Sequence, residues 1–99
     1  MEFEWDENKR QSVIRERGVD ILDAALIFEG YVLTRRDERD YGEARFISLG
    51  MADTQCYVVV HTERNGVIRL ITAWKGGQDE REAYEESLAD RDPENEGSR

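Results

Sequence analysis

The chain has 99 residues, a formal net charge of −9, one cysteine and one histidine. This length suits one domain with a single core, the lone cysteine excludes an internal disulfide, and a His/Cys metal site cannot be assembled. The negative charge argues against strong non-specific nucleic-acid binding. No segment approaches the ~18 consecutive apolar residues of a membrane span. We therefore predict no cofactor, no metal ion, no membrane contact and a cytoplasmic location.

The first thirty residues predict a short edge strand followed by two helices. Two aromatic residues alternate with acids near the N-terminus, which is typical of an edge strand. Asp6 is placed to cap the first helix, and Gly18 is placed to end it in the left-handed conformation. Asp20 is placed to cap a second helix with helically spaced apolar residues, which would close at Gly30.

The middle of the chain predicts four more strands. Tyr31–Arg36 and Ala44–Gly50 form the first two. Asn65-Gly66 then separates two apolar runs, which is the strongest short-range signal for a β-hairpin. Both runs are apolar on both faces, so we expect this hairpin, spanning Tyr57–Trp74, at the buried centre of the sheet.

The end of the chain predicts one helix and a tail. Gly76-Gly77 lets the chain leave the sheet, and a helix over Gln78–Asp90 follows. The order β-α-α-β-β-β-β-α predicts an α+β fold with a twisted, mostly antiparallel sheet. We predict a single domain over residues 1–90 and a disordered acidic tail over residues 91–99.

Five short motifs resemble the BrnT toxins and together span about residues 3–85. They are Phe3-x-Trp5-Asp6-x-x-Lys9, Gly18-Val19, Gly42-Glu43-x-Arg45, Arg69-x-Ile71-Thr72-Ala73-x-Lys75 and Glu80-Arg81-x-x-Tyr84. The resemblance implies a RelE-like fold and a bacterial toxin-antitoxin ribonuclease that cuts RNA without a metal ion. It also implies a ribbon-helix-helix antitoxin, BrnA, through which the complex binds operator DNA.

Three sites depart from the pattern of that family, and each loses positive charge. Glu16-Arg17 precedes Gly18 where Lys-His is usual, Trp74 replaces an arginine, and Gln78-Asp79 replaces basic residues. Two functions therefore stay open. The chain is either an active ribonuclease or a catalytically weak binding module that regulates transcription together with its antitoxin.

Cleavage of RNA without a metal needs a base, a cation and an acid at one phosphate. Lys75, Glu80, Arg81 and Tyr84 form the best predicted catalytic cluster, because they meet at the start of the last helix. Each also has a structural alternative, which for Lys75 is a place in the loop between strand and helix. The carboxylate can act at the helix N-terminus, the arginine can pair with Glu85, and the tyrosine can anchor the helix.

Arg69, His61 and Arg45 are the predicted RNA-binding residues. A regular hairpin would pair Cys56 with Lys75 and place Arg69 on the same face as Lys75, ~20 Å away. Arg69 would contact the RNA backbone or anchor the loop at Gly42-Glu43. His61 would share a face with Val59, Leu70 and Trp74, and the alternative for it is a core or rim histidine.

Overall fold

The computed structural model describes residues 1–39 and 42–91. The elements are β1 (Glu2–Trp5), α1 (Glu7–Arg17), α2 (Ile21–Ala24), a 3₁₀ helix (Ala25–Glu29), β2 (Leu33–Asp37), β3 (Arg45–Ala52), β4 (Gln55–Arg64), β5 (Val67–Lys75) and α3 (Gln78–Arg91). The predicted order of elements is confirmed, although the second helix continues as a 3₁₀ turn. Arg91, predicted to begin the tail, is the last residue of α3, and the rest of the predicted tail lies outside the described residues.

The five strands form one mixed sheet in the order β1-β5-β4-β3-β2. β1 is parallel to β5, and every other pair is antiparallel. The hairpin turn has positive φ at both central residues, 54° at Asn65 and 81° at Gly66, as a type I′ turn requires. The predicted α+β class and the central position of the hairpin are confirmed.

Side-chain caps fix the first two helices. The Asp6 carboxylate accepts hydrogen bonds from two backbone N–H groups of α1, and Gly18 ends that helix with φ 67°. The Asp20 carboxylate caps α2 and also accepts two bonds from the Arg10 guanidinium, at 2.8 and 2.7 Å. This guanidinium holds the pKa of Asp20 below its usual range. The bidentate pair therefore ties α1 to the start of α2.

The helices α1 and α2 and the 3₁₀ helix cover one side of the sheet, which we call the core face. Its buried cluster comprises Val13, Val19, Ile21, Ala24, Ala25, Ile27, Val59, Ile68, Leu70 and Ala73. Gly50 lies so close to the 3₁₀ helix that a Cβ added there would be 2.7 Å from the Ile27 Cβ. The absence of a side chain at Gly50 therefore lets the two layers approach.

A β-bulge interrupts the pairing of β4 with β5. The predicted register holds as far as His61 opposite Leu70, but the next pair is Val60 with Thr72. Ile71 is thus an extra residue with no partner across the hairpin. One extra residue reverses the alternation of side chains along the rest of the strand.

The bulge corrects two predictions about Lys75. Lys75 pairs with Tyr57 rather than with Cys56. Tyr57 packs against the core cluster, so the side chain of Lys75 leaves the sheet on the core face. Arg69, which precedes the bulge, lies on the opposite face. The prediction that Arg69 and Lys75 share a face is therefore wrong.

The helix α3 packs across β2, β3 and β4 and is anchored by aromatic side chains. Tyr84 is buried, and its hydroxyl donates a 3.1 Å hydrogen bond to the Tyr31 carbonyl oxygen. The Tyr31 hydroxyl bonds with the Ser87 hydroxyl, and the Arg91 guanidinium lies 4.7 Å from the Tyr31 ring centroid. The segment that leads into β2 is thus joined to three successive turns of α3.

Candidate functional site

Three arginines from three strands lie on the side of the sheet opposite the core cluster. Cross-strand pairing forms one row of Arg35, Ile47, Val60 and Thr72. Paired residues point to the same side and alternate residues along a strand share a side, so Arg45 belongs to this side as well. Arg69 pairs with Thr62, two residues beyond Val60, and joins them. We call this side the arginine face.

A cleft lies where the N-terminal turn of α3 crosses the arginine face, and we call it the Trp74 cleft. Its volume is about 260 Å³, and its lining is Arg35, Ile47, Leu49, Val58, Trp74, Asp79, Glu80 and Ala83. Aliphatic side chains form the floor, and charged groups stand at the rim. Arg35 is exposed and makes no ion pair with any described residue. The cleft therefore combines an apolar floor, an aromatic ring and an available cation.

A second cleft of about 250 Å³ contains the other two arginines of the face. Lys9, Arg45 and Arg69 line it together, alongside Glu43. The Arg45 Nε lies 3.3 Å from the Glu43 Oε2, and the Arg69 Nη1 lies 3.5 Å from the Glu4 Oε1. Such surface ion pairs contribute only ~0–1 kcal/mol, so these cations can exchange a carboxylate for another anion.

The predicted catalytic residues Glu80 and Arg81 take different directions from the first turn of α3. The Glu80 Oε1 accepts a 2.6 Å hydrogen bond from the Gly77 N–H, which caps the helix, and the side chain also lines the Trp74 cleft. The Arg81 Nη2 donates to the Thr54 carbonyl oxygen at 3.3 Å, and its Nε lies 3.7 Å from the Glu85 Oε2. Arg81 therefore contacts the turn between β3 and β4 rather than the cleft.

The other two predicted catalytic residues lie apart from that cleft. Burial raises the pKa of the Tyr84 hydroxyl, which is already committed to the Tyr31 carbonyl oxygen. Lys75 is exposed on the core face and forms no ion pair within residues 1–39 and 42–91. Of the four predicted residues, the structure thus brings only Glu80 to the Trp74 cleft.

His61, predicted to bind RNA, is completely buried on the core face. Its ring packs between Phe28 and Phe46, with centroid distances of 5.1 and 5.9 Å. Burial lowers the pKa of His61, which favours the neutral imidazole. Trp74, expected on the same face, pairs with Val58 and lies on the arginine face. His61 therefore takes its alternative role as a core histidine and has no surface with which to contact RNA.

Arg35 lines the Trp74 cleft but is not among the residues predicted from the sequence. It stands beside Arg36 in a charged stretch, and nothing local distinguishes the two. Only the pairing of β2 with β3 does so, because Arg35 lies opposite Ile47 and Arg36 opposite Phe46. The sequence identifies Trp74 only as the loss of a cation, and the bulge places its ring in the cleft.

Two further properties of the described residues bear on the chemistry. Within residues 1–39 and 42–91, no group of three or more His, Cys, Asp or Glu side chains is arranged to hold a metal ion. No helix in the same ranges has the length and apolar character needed to cross a membrane.

The chain thus combines a mixed α+β sheet with a face that carries three arginines. Residues 5–80 match the family model described as the ribonuclease toxin BrnT of type II toxin-antitoxin systems. The match covers most of the chain, so this protein belongs to the BrnT family, which confirms the resemblance found in the sequence. Membership implies an antitoxin as partner.

A solved structure supports the same fold. The crystal structure of the Brucella abortus ribonuclease toxin BrnT is similar with a TM-score of 0.58 and 20% identity. The alignment covers 79% of this chain and 99% of the Brucella chain. No curated protein matches this sequence.

Proposed function

We propose that this chain is an endoribonuclease toxin that cuts RNA on its arginine face without a metal ion. A BrnA-like ribbon-helix-helix antitoxin neutralises it in the bacterial cytoplasm, and operator DNA is bound only through that complex. The observation that carries the proposal is the presence of Arg35 and Glu80 on one cleft, next to two further arginines on the same face.

The RNA backbone binds along the second cleft. Lys9, Arg45 and Arg69 supply three cations there, and arginine binds phosphate in a bidentate manner. The pairs with Glu43 and Glu4 are exposed, so phosphate displaces the carboxylates at little cost. Asp6 and Glu43 also line the cleft, so phosphate binding there depends on displacement of the paired carboxylates.

The cleavage step takes place at the Trp74 cleft. The carboxylate of Glu80 holds the Gly77 N–H with one oxygen, which leaves the other to accept the proton of the 2′-hydroxyl. The 2′ oxygen then attacks phosphorus, and the bond to the 5′ oxygen breaks, giving a 2′,3′-cyclic phosphate. Arg35 stabilises the additional negative charge on the phosphate. The departing 5′ oxygen takes a proton from water, and the hydroxide left behind is neutralised by the proton that Glu80 then releases.

Cleavage of a labelled single-stranded RNA in the presence of EDTA tests this proposal. Substituting Arg35→Ala or Glu80→Gln should reduce the rate by about 10²-fold or more, because each removes an interaction made in the transition state. Arg36→Ala is the matched control, since Arg36 is also exposed and lies on the other face. It should cleave at the parent rate.

Two outcomes would contradict the proposal. If Lys75→Ala and Arg81→Ala reduce cleavage while Arg35→Ala does not, the catalytic residues lie outside the Trp74 cleft. If the parent protein binds its antitoxin but does not cleave RNA, with or without EDTA, the chain is a binding module. The pairing of Arg45 and Arg69 with carboxylates, together with Asp79 at the cleft, is the observation that favours this second function.

A further inference from the structure

We propose that the Trp74 cleft is a nucleobase pocket that selects guanine in single-stranded RNA. The inference rests on the proposed function and adds the base specificity of the same site. The selected base belongs to the nucleotide whose 2′ oxygen attacks, so the pocket determines where the RNA is cut.

The first support is the position of the Trp74 ring. Trp74 ends a cross-strand row with Leu49 and Val58, both of which line the cleft floor. The Arg17 guanidinium carbon lies 5.1 Å from the centroid of the indole, and this contact steadies the ring. An unpaired base stacks on such an aromatic surface, and each stacked base contributes ~1–3 kcal/mol to binding.

The second support is the size and polarity of the cleft. Its volume of about 260 Å³ lies below the roughly 300–1,000 Å³ of pockets that hold drug-sized ligands. The floor of Ile47, Leu49 and Val58 offers no hydrogen bond from its side chains, so it fits the flat face of a ring. These dimensions accommodate one base.

The third support is the carboxylate of Asp79 at the rim. Asp79 is exposed, and its side chain makes no hydrogen bond or ion pair with any part of the chain that the structure describes. An ionised carboxylate only accepts hydrogen bonds. Guanine presents two adjacent donors, N1–H and the N2 amino group, which match the two oxygens of a carboxylate. Adenine and cytosine present one amino group, and uracil presents one N–H between two carbonyl groups that repel the carboxylate.

The charges at the rim also fix the orientation of the nucleotide. Arg35 lies on β2 and Trp74 on β5, with β4 and β3 between them, so the two side chains stand at opposite sides of the cleft. Arg35 attracts the phosphate to the β2 side. The base then lies against Trp74, near the start of α3 where Asp79 stands. This direction places the attacking nucleotide in the pocket.

Fluorescence of Trp74 tests the pocket without requiring cleavage. The chain has two tryptophans, and Trp5→Phe leaves Trp74 as the only one. This protein is titrated with the 2′-O-methyl trinucleotides ApGpA, ApApA and ApUpA, which cannot be cut because the 2′ oxygen is blocked. ApGpA should quench the fluorescence and bind at least about 10-fold more tightly than ApUpA.

Two variants separate base recognition from general charge effects. Asp79→Asn should remove most of the preference for ApGpA over ApUpA, because the bidentate acceptor is removed. Asp23→Asn removes the same charge from an exposed position on α2 and should keep the preference. Both positions are exposed, so both variants should fold, which circular dichroism verifies.

The outcomes distinguish this inference from the proposed function. Selective quenching by ApGpA without RNA cleavage would support the pocket and contradict the nuclease. Cleavage that shows no preference for guanine, with Asp79→Asn equal to the parent, would overturn the pocket and leave the nuclease. Absence of any quenching by the three trinucleotides would also overturn the pocket.

Discussion

The Ser48 hydroxyl oxygen lies 2.8 Å from the Nε2 atom of His61, and both side chains are completely buried. The Ser48 hydroxyl also forms a 2.7 Å hydrogen bond with the Thr34 hydroxyl. The Nδ1 of His61 has no hydrogen-bond partner among the described residues, although the Glu63 Oε2 lies 3.5 Å away. Hydrogen bonds between these three side chains thus join β2, β3 and β4 beneath the 3₁₀ helix. His61 is the member of this network whose charge depends on pH.

Acidification should destabilise the protein through His61. Burial lowers its folded pKa below the ordinary value of 6.5, so the unfolded chain binds a proton more readily. The contribution of His61 to stability is therefore complete above pH 6.5 and is lost as the pH falls from there towards the folded pKa. The slope should approach ~1.4 kcal/mol per pH unit, measured by urea unfolding between pH 7.5 and 5. His61→Gln should lack this slope, and an equal slope in both proteins would contradict the account.

Tyr84→Phe should lower stability without lowering catalysis. The hydroxyl of Tyr84 donates to the Tyr31 carbonyl oxygen, and its removal leaves a partly buried acceptor without that partner. We expect a decrease of about 1 kcal/mol in the free energy of unfolding in urea. RNA cleavage at a temperature where both proteins are folded should be unchanged. A decrease of 10-fold or more in cleavage with unchanged stability would return Tyr84 to the catalytic group.

Gly50→Ala should destabilise the fold by about 1–3 kcal/mol. The added Cβ would lie 2.7 Å from the Ile27 Cβ, so the 3₁₀ helix must move away from β3. Gly30→Ala is the control, because a Cβ there meets nothing within 4 Å and the backbone φ of −127° suits any residue. Thermal unfolding of the two variants measures the difference. Equal melting temperatures would show that the helical layer does not pack as described.

The arginine face should dominate the salt dependence of RNA binding. Replacing Arg45 or Arg69 by alanine should weaken binding to RNA of every sequence. It should also reduce the slope of log K against log salt by about 0.7 for each phosphate that the variant no longer neutralises. Arg15→Ala removes the same charge from an exposed position on α1 and should leave the slope unaltered. Fluorescence anisotropy with the Glu80→Gln protein measures binding without cleavage.

Trp74→Arg should lower the selectivity for the base and raise the affinity for RNA of any sequence. The substitution places a cation on the arginine face and removes the stacking surface of the cleft. RNA affinity at low salt should rise, whereas the preference between guanine-containing and uracil-containing oligonucleotides should fall. Competition binding at two salt concentrations reports both quantities. An unaltered affinity together with unaltered selectivity would mean that the position does not face RNA.

The elements of this fold could be predicted because their signals are local. Asn65-Gly66 specifies its turn by backbone conformation alone, and Asp6 and Asp20 satisfy helix N–H groups two or three residues away. The predictions that failed depend on contacts between distant segments. The bulge at Ile71 has no local signal, and it alone decides the face of Lys75 and of Trp74. The site was therefore only partly predictable, since its residues are assembled by strand register.

Ile71, the unpaired residue of the bulge, also restricts which changes of sequence this protein tolerates. Ala73 is buried in the core, and its neighbour Trp74 faces the cleft only because Ile71 adds one step to the strand. A slip of register that placed Ile71 opposite Val60 would exchange the two, sending an indole into a space filled by a methyl group. Loss of the bulge by a register slip would therefore damage folding and recognition together, whereas deletion of Ile71 would keep Ala73 and Trp74 on their present faces.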